Sequence, residues 1–122
     1  MEPPPLTSDE RHRLRAGMRA ARAEAERRLA ALDRTFDEIV AAADLEPPDD
    51  EHDPDGTTAY ERAQVTSLAA AARATLRDLD RELARVDDPG YGACAACGRS
   101  IGLVRLEAVP GTRTCVRCPP GG

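Results

Sequence analysis

Four cysteines near the end of the 122-residue chain constrain its fold more than any other feature. Cys94 and Cys97 form one C-x2-C pair, Cys115 and Cys118 form a second, and 17 residues separate them. That spacing suits a four-cysteine zinc site. Two residues between thiolates let each pair curl around one edge of a tetrahedron, with sulfur–metal distances of about 2.3 Å. Gly98, directly after the first pair, can take positive φ and turn backbone N–H groups towards sulfur. Pro119, after the second pair, has no N–H, so that knuckle is expected to be less well hydrogen-bonded. Two disulfides are the alternative. They are disfavoured because Met1–Glu10 has no apolar stretch of a signal peptide and the expected compartment is the cytoplasm, where thiols stay reduced. Four protein ligands close the site, so one structural Zn2+ is expected and not a catalytic one.

The rest of the chain cannot build a thick core. Aromatic residues are 2% of it, namely Phe36, Tyr60 and Tyr91, while charged residues are 32%. Such a chain needs helix pairing plus a metal or covalent staple. All 17 basic residues are arginine, which reads as genomic base composition, and the net charge of -5 argues against a general nucleic-acid grip. No apolar run approaches a membrane span.

Residues 1–7 are Pro-rich and are expected to be a disordered lead. Thr7 and Glu10 make a capping box that opens a helix. Its apolar residues Leu14, Met18, Ala21, Ala25, Leu29, Leu32, Phe36, Ile39 and Ala43 trace a narrow seam of 4,3 spacing. Residues 44–56, with Pro47, Pro48, Pro54 and Gly56, end it. A second capping box, Thr58 with Glu61, opens another helix with the seam Val65, Leu68, Ala72, Leu76, Leu79, Leu83 and Val86. Seam positions whose numbers add to 104 face each other in an antiparallel pair, such as Ile39 with Val65 and Met18 with Val86. Each arm would be about 45–50 Å long. The expected fold is therefore mainly α: a long antiparallel two-helix coiled-coil hairpin over 8–88 with a tip loop at 44–57, then a small four-cysteine zinc-finger module over 89–122.

The stretch 44–56 holds seven carboxylates: Asp44, Glu46, Asp49, Asp50, Glu51, Asp53 and Asp55. It is either a solvated turn or a probe that carries negative charge into a positive or metal-containing cavity of a partner. Glu51 to Gly56 imitates the start of a calcium loop, but Arg62 stands where the bidentate Glu belongs. His12 lies in a polar helix start and His52 in the acidic stretch, neither beside a plausible nucleophile, so no enzyme is expected.

Gly90-Tyr-Gly-Ala-Cys94-Ala-Ala-Cys97-Gly98, followed by Ile101-Gly102, Arg105-Leu-Glu-Ala-Val-Pro110 and Cys115-Val-Arg-Cys118, resembles the zinc-finger signature of the DksA/TraR family of bacterial transcription-initiation regulators. The resemblance implies binding to RNA polymerase and not to promoter DNA, with the hairpin in the secondary channel. It also implies acidic tip residues, in an Asp-x-x-Asp-x-Ala pattern, that approach the catalytic magnesium. Here Asp50 and Asp53 match the two aspartates, and Asp55 stands at the alanine position. The chain stops at Gly122, whereas full-length family members continue into a C-terminal helix. A monomer without sequence-specific DNA binding or membrane attachment is expected. The competing readings are a zinc-ribbon nucleic-acid binder using Arg99, Arg105, Arg113 and Arg117, and a coiled-coil adaptor.

Overall fold

The computed structural model describes residues 3–45 and 54–118, with residues 54–57 described by backbone alone. Three helices form: α1 (Ser8–Asp44), α2 (Pro54–Arg85) and the short α3 (Leu103–Ala108). The first capping box forms as expected. The Thr7 amide donates to Glu10 Oε1 at 2.9 Å, and the Glu10 amide donates to Thr7 Oγ1 at 3.1 Å.

The second helix starts earlier than its Thr58–Glu61 signature suggests. It begins at Pro54, four residues before Thr58, so the connection is shorter than the expected 44–57 loop. Proline suits the first helical position because its fixed φ matches the helix and the N–H it lacks would have had no partner there. Pro54 therefore opens a helix where it was read as part of a break.

The chain divides into two compact units, Met1–Arg22 with Arg77–Gly122, and Ala23–Leu76. The division expected at residue 88/89 does not separate them: the end of the hairpin and the finger form one unit. In the second unit the helices run antiparallel, and Arg73 pairs with Asp33 at 3.4 Å. The first unit carries the matching pairs Arg22–Asp80 at 2.5 Å and Arg15–Asp87. Their residue numbers add to 106, 102 and 102, on either side of the expected 104. These exposed pairs fix register more than they stabilise.

The α2 seam departs from expectation at one place. Leu68 is 50% exposed, whereas Ala69 is buried at 4%. The inward positions are thus Val65, Ala69, Ala72, Leu76, Leu79, Leu83 and Val86, an unbroken 4,3 alternation. The irregular step read from Leu68 does not exist, because helix periodicity outweighs side-chain size. In the second unit the seam is thin: Ala25, Ala69 and Ala72 are buried, while Leu29, Leu32, Phe36, Ile39 and Val65 are half-buried. Ala69→Asp is expected to destabilise by about 2–4 kcal/mol by burying a charge. Leu68→Asp, one residue away, should change stability by under about 1 kcal/mol. Urea unfolding followed by circular dichroism measures both, and equal losses would restore Leu68 to the seam.

Candidate metal centre

The finger begins where α2 ends. Arg11 of α1 caps that end, its guanidinium donating to Val86 O at 2.7 Å and to Asp88 O at 2.9 Å. These carbonyls have no helical partner of their own. Tyr91 then enters the core. It lies beside Glu82, which is only 5% exposed, and Arg85 lies over its ring at 5.8 Å from the centroid. Burial, reinforced by the charge of Glu82, pushes the Tyr91 phenol up to about 12.

A short ribbon presents the first cysteine pair. Ala93 and Ser100 form an antiparallel bridge, the Cys94 amide donates to Arg99 O at 2.7 Å, and the Ile101 amide donates to Gly92 O at 2.7 Å. Gly98 takes φ 78°, as its position after the pair predicts, and its amide reaches Cys94 O at 2.9 Å. After α3, the Arg105 guanidinium donates to the Thr114 carbonyl at 3.0 Å and holds the approach to Cys115. The two halves are tied by the Ala95 amide to Arg113 O at 2.8 Å and the Cys115 amide to Cys94 Sγ at 3.4 Å.

This backbone brings the sulfurs of Cys94, Cys97, Cys115 and Cys118 within 4.8 Å of one another. Cys97 Sγ and Cys115 Sγ are 3.8 Å apart. A zinc–sulfur bond of about 2.3 Å in a regular tetrahedron requires an edge of about 3.8 Å, which the Cys97–Cys115 edge already has, so the four sulfurs are placed to hold one ion. Cys94 and Cys115 are buried, Cys118 half-buried and Cys97 exposed. The inner thiols are tuned for metal. The Cys115 amide, aided by those of Cys97 and Ala96, pulls the Cys94 thiol down to about 6. Cys115 is lowered by the Arg117 amide, so the second knuckle has the fewer amide donors. Hydrogen bonding to Cys115 and Cys94 pushes Cys118 up to about 12, and a bound dication removes that proton by binding the thiolate. The site takes one structural Zn2+, which crosslinks the two ends of the finger.

The centre is not an isolated bead. Cys94 and Cys115 share a single buried cluster with Leu14 and Met18 of α1, Leu79 of α2, Val86, Tyr91, Ile101 and Leu106. Sequence reasoning missed three of its supports. One is Glu82, whose signal was an acid beside the seam residue Leu83. Another is the Arg11 cap, for which no local pattern exists. The third is the segment Pro3–Thr7, expected to be disordered, which packs on the finger. Of the tip residues, Asp50 and Asp53 lie outside the described residues. Asp55 lies in the first turn of α2, with its side chain outside the description. His12 is beside Arg15 on the exposed face of α1, and His52 lies outside the described residues.

Metal analysis should give one zinc per chain. Cys97→Ser should weaken binding greatly, and chelation should loosen the first turns of α1 together with residues 90–118, because they share one core. A finger that stays ordered without metal would refute the structural role. Tyr91 supplies a pH test. Its raised folded pKa means the native state keeps a proton that the unfolded chain loses near 10. Its contribution to stability is therefore complete below about pH 10 and lost as pH rises towards 12. Ultraviolet titration should show one late-ionising tyrosine, and Glu82→Gln should move it down.

Residues 89–118 match the model of the prokaryotic dksA/traR C4-type zinc finger. An uncharacterized protein of Aquifex aeolicus is 36% identical over 63 residues, covering 52% of this chain and 43% of that protein. The RNA polymerase-binding transcription factor DksA of Escherichia coli K12 is 37% identical over 46 residues, covering 38% of this chain and 30% of its own. The matched stretches thus span less than half of these curated relatives. The solved structure of transcription factor DksA2 from Pseudomonas aeruginosa superposes with a TM-score of 0.74 at 24% identity, covering 90% of this chain and 80% of that one. The finger at residues 89–118 is thus similar to the dksA/traR C4-type zinc finger, and the helical fold is similar to that of DksA2.

Proposed function

We propose that this protein is a cytoplasmic regulator of bacterial transcription that binds RNA polymerase as a monomer. In this reading it inserts the acidic end of its hairpin into the secondary channel, and the zinc finger anchors it outside. The observation that carries the proposal is the coincidence of a dksA/traR finger with the DksA2-like fold over 90% of the chain. The name of the Escherichia coli relative supports the choice of partner. Asp50, Asp53 and Asp55 are the charges to be delivered, and Cys94, Cys97, Cys115 and Cys118 hold the zinc that keeps the anchor folded. Among the described residues, no helix is long and apolar enough to cross a membrane.

The geometry offers less to a nucleic-acid binder. Among the finger's arginines, Arg105 is engaged by Thr114. Glu107 ties α3 to Arg13 at 2.9 Å. A four-thiolate zinc centre counts about -2, which offsets most of the remaining positive charge. Such a finger lacks the stacking platform that single strands need.

Co-elution with core RNA polymerase tests the partner directly. A double Asp50→Asn, Asp53→Asn variant keeps shape and hydrogen-bonding capacity but removes two charges. Its affinity for polymerase should fall by about tenfold or less, whereas its effect on transcription should largely vanish. Asp44→Asn with Glu46→Gln removes the same charge elsewhere and should leave more of the effect. Equal behaviour of the two variants would reduce the stretch to bulk acidity. Salt-sensitive binding to bare DNA without binding to polymerase would favour the zinc-ribbon reading.

A further inference from the structure

The segment Pro3–Thr7 is seated on the finger at two glycines that have no room for a side chain. A Cβ on Gly92 would lie 2.9 Å from Leu6 Cδ1, and a Cβ on Gly102 would lie 2.9 Å from Pro3 Cβ. Both glycines have φ 91°, which disfavours any other residue there independently of space. Between these two seats, the Ser100 hydroxyl donates to the Pro4 carbonyl at 2.8 Å. Leu6 packs on the cluster that contains Cys94 and Cys115, and Pro3 lines the same cleft as Cys115 and Ser100.

The position of Leu6 shows what this contact replaces. Thr7 is the N-cap of α1, so Leu6 precedes the cap, where an apolar residue ordinarily staples onto the fourth residue of the first turn. That residue is Arg11, whose guanidinium is committed to Val86 O and Asp88 O. Leu6 therefore staples onto the finger and not onto its own helix. The three prolines Pro3–Pro5 have fixed φ, so little backbone freedom is lost when they dock.

Gly92 and Gly102 flank the ribbon that presents Cys94 and Cys97, and the hydrogen bonds of Cys94 to Arg99 and Ile101 to Gly92 set their spacing. We propose that Pro3–Leu6 is a metal-dependent strap: zinc binding at the four cysteines builds its seat, and the seated strap orders the capped start of α1. The inference goes beyond the proposed role in transcription and does not depend on it. Coupling of this kind is reciprocal, so the strap must also strengthen zinc binding.

Amide hydrogen exchange on the full chain, zinc-loaded and after chelation under reducing conditions, tests the first half. The Thr7, Glu10 and Arg11 amides, which bond to Glu10 Oε1, Thr7 Oγ1 and Thr7 O, report the cap. Their exchange should rise about tenfold or more on metal removal, while a peptide covering residues 25–40 changes far less. Unchanged exchange at residues 7–11 while residues 94–118 lose protection would overturn the proposal. Competition with a chromogenic chelator tests the second half. Leu6→Ser should still bind one zinc but with affinity lowered about fivefold or more. Ser100→Ala, which removes only the hydroxyl, should shift affinity in the same direction, and it decides the matter if Leu6→Ser folds poorly. Wild-type zinc affinity in Ser100→Ala together with Leu6→Ser would refute the coupling.

Discussion

Cys94 and Cys115 occupy two places at once: they are ligand positions of the metal site and members of the buried cluster that joins the finger to α1 and α2. A chain with 2% aromatic residues cannot bury enough surface with the 37 residues that follow α2 alone. The zinc site supplies what side-chain volume does not. Its four bonds supplement a core of few large side chains, in which Val86 is the fully buried one among the described residues. Because the thiols are in the core and not beside it, metal binding and packing are one event. The finger, the start of α1 and the end of α2 accordingly form a single compact unit.

Around that core, arginine side chains hold backbone carbonyls. Arg11 spans two carbonyls at the end of α2 with one planar group, and Arg105 fixes the Thr114 carbonyl ahead of Cys115. In both, one nitrogen of the planar guanidinium, Nη1 of Arg11 or Nε of Arg105, is aimed at backbone oxygen. All 17 basic residues are arginine, and two of them are placed in these contacts. The exposed cross-helix pairs, by contrast, could be lost one at a time with small effect.

How much of this was legible in the sequence depended on the range of the interactions. The Thr7–Glu10 box and the positive φ of Gly98 are local, and both appear as read. The metal site was legible because its spacing encodes a closed geometry. The failures have separate causes. Choosing the larger Leu68 over Ala69 let hydrophobicity override periodicity. Taking Thr58 as a cap ignored that Pro54 is a good first helical residue. Calling residues 1–7 disordered judged a Pro-rich segment by composition, although its partner lies some ninety residues away at Gly92 and Gly102. The acidic stretch 44–56 was read from composition, and only the choice of Asp50 and Asp53 within it came from the family resemblance.

The two units also carry different kinds of information. Unit one is specified by geometry, with glycines at fixed φ, paired cysteines and satisfied carbonyls, and the dksA/traR finger model matches within it, at residues 89–118. Unit two is specified mainly by a period, since alanines and half-buried leucines at 4,3 spacing permit many sequences. A fold can then be kept at 24% identity, as the match to DksA2 illustrates. Fold alone therefore says little about what the acidic stretch does. Asp55 brings the carboxylates within residues 50–55 to four: Asp50, Glu51, Asp53 and Asp55. Close like charges raise one another's affinity for a cation or a cationic surface and repel each other without one. If the stretch acts by charge, its effect must grow with the positive potential it meets, and a partner cavity that holds magnesium provides the strongest such potential.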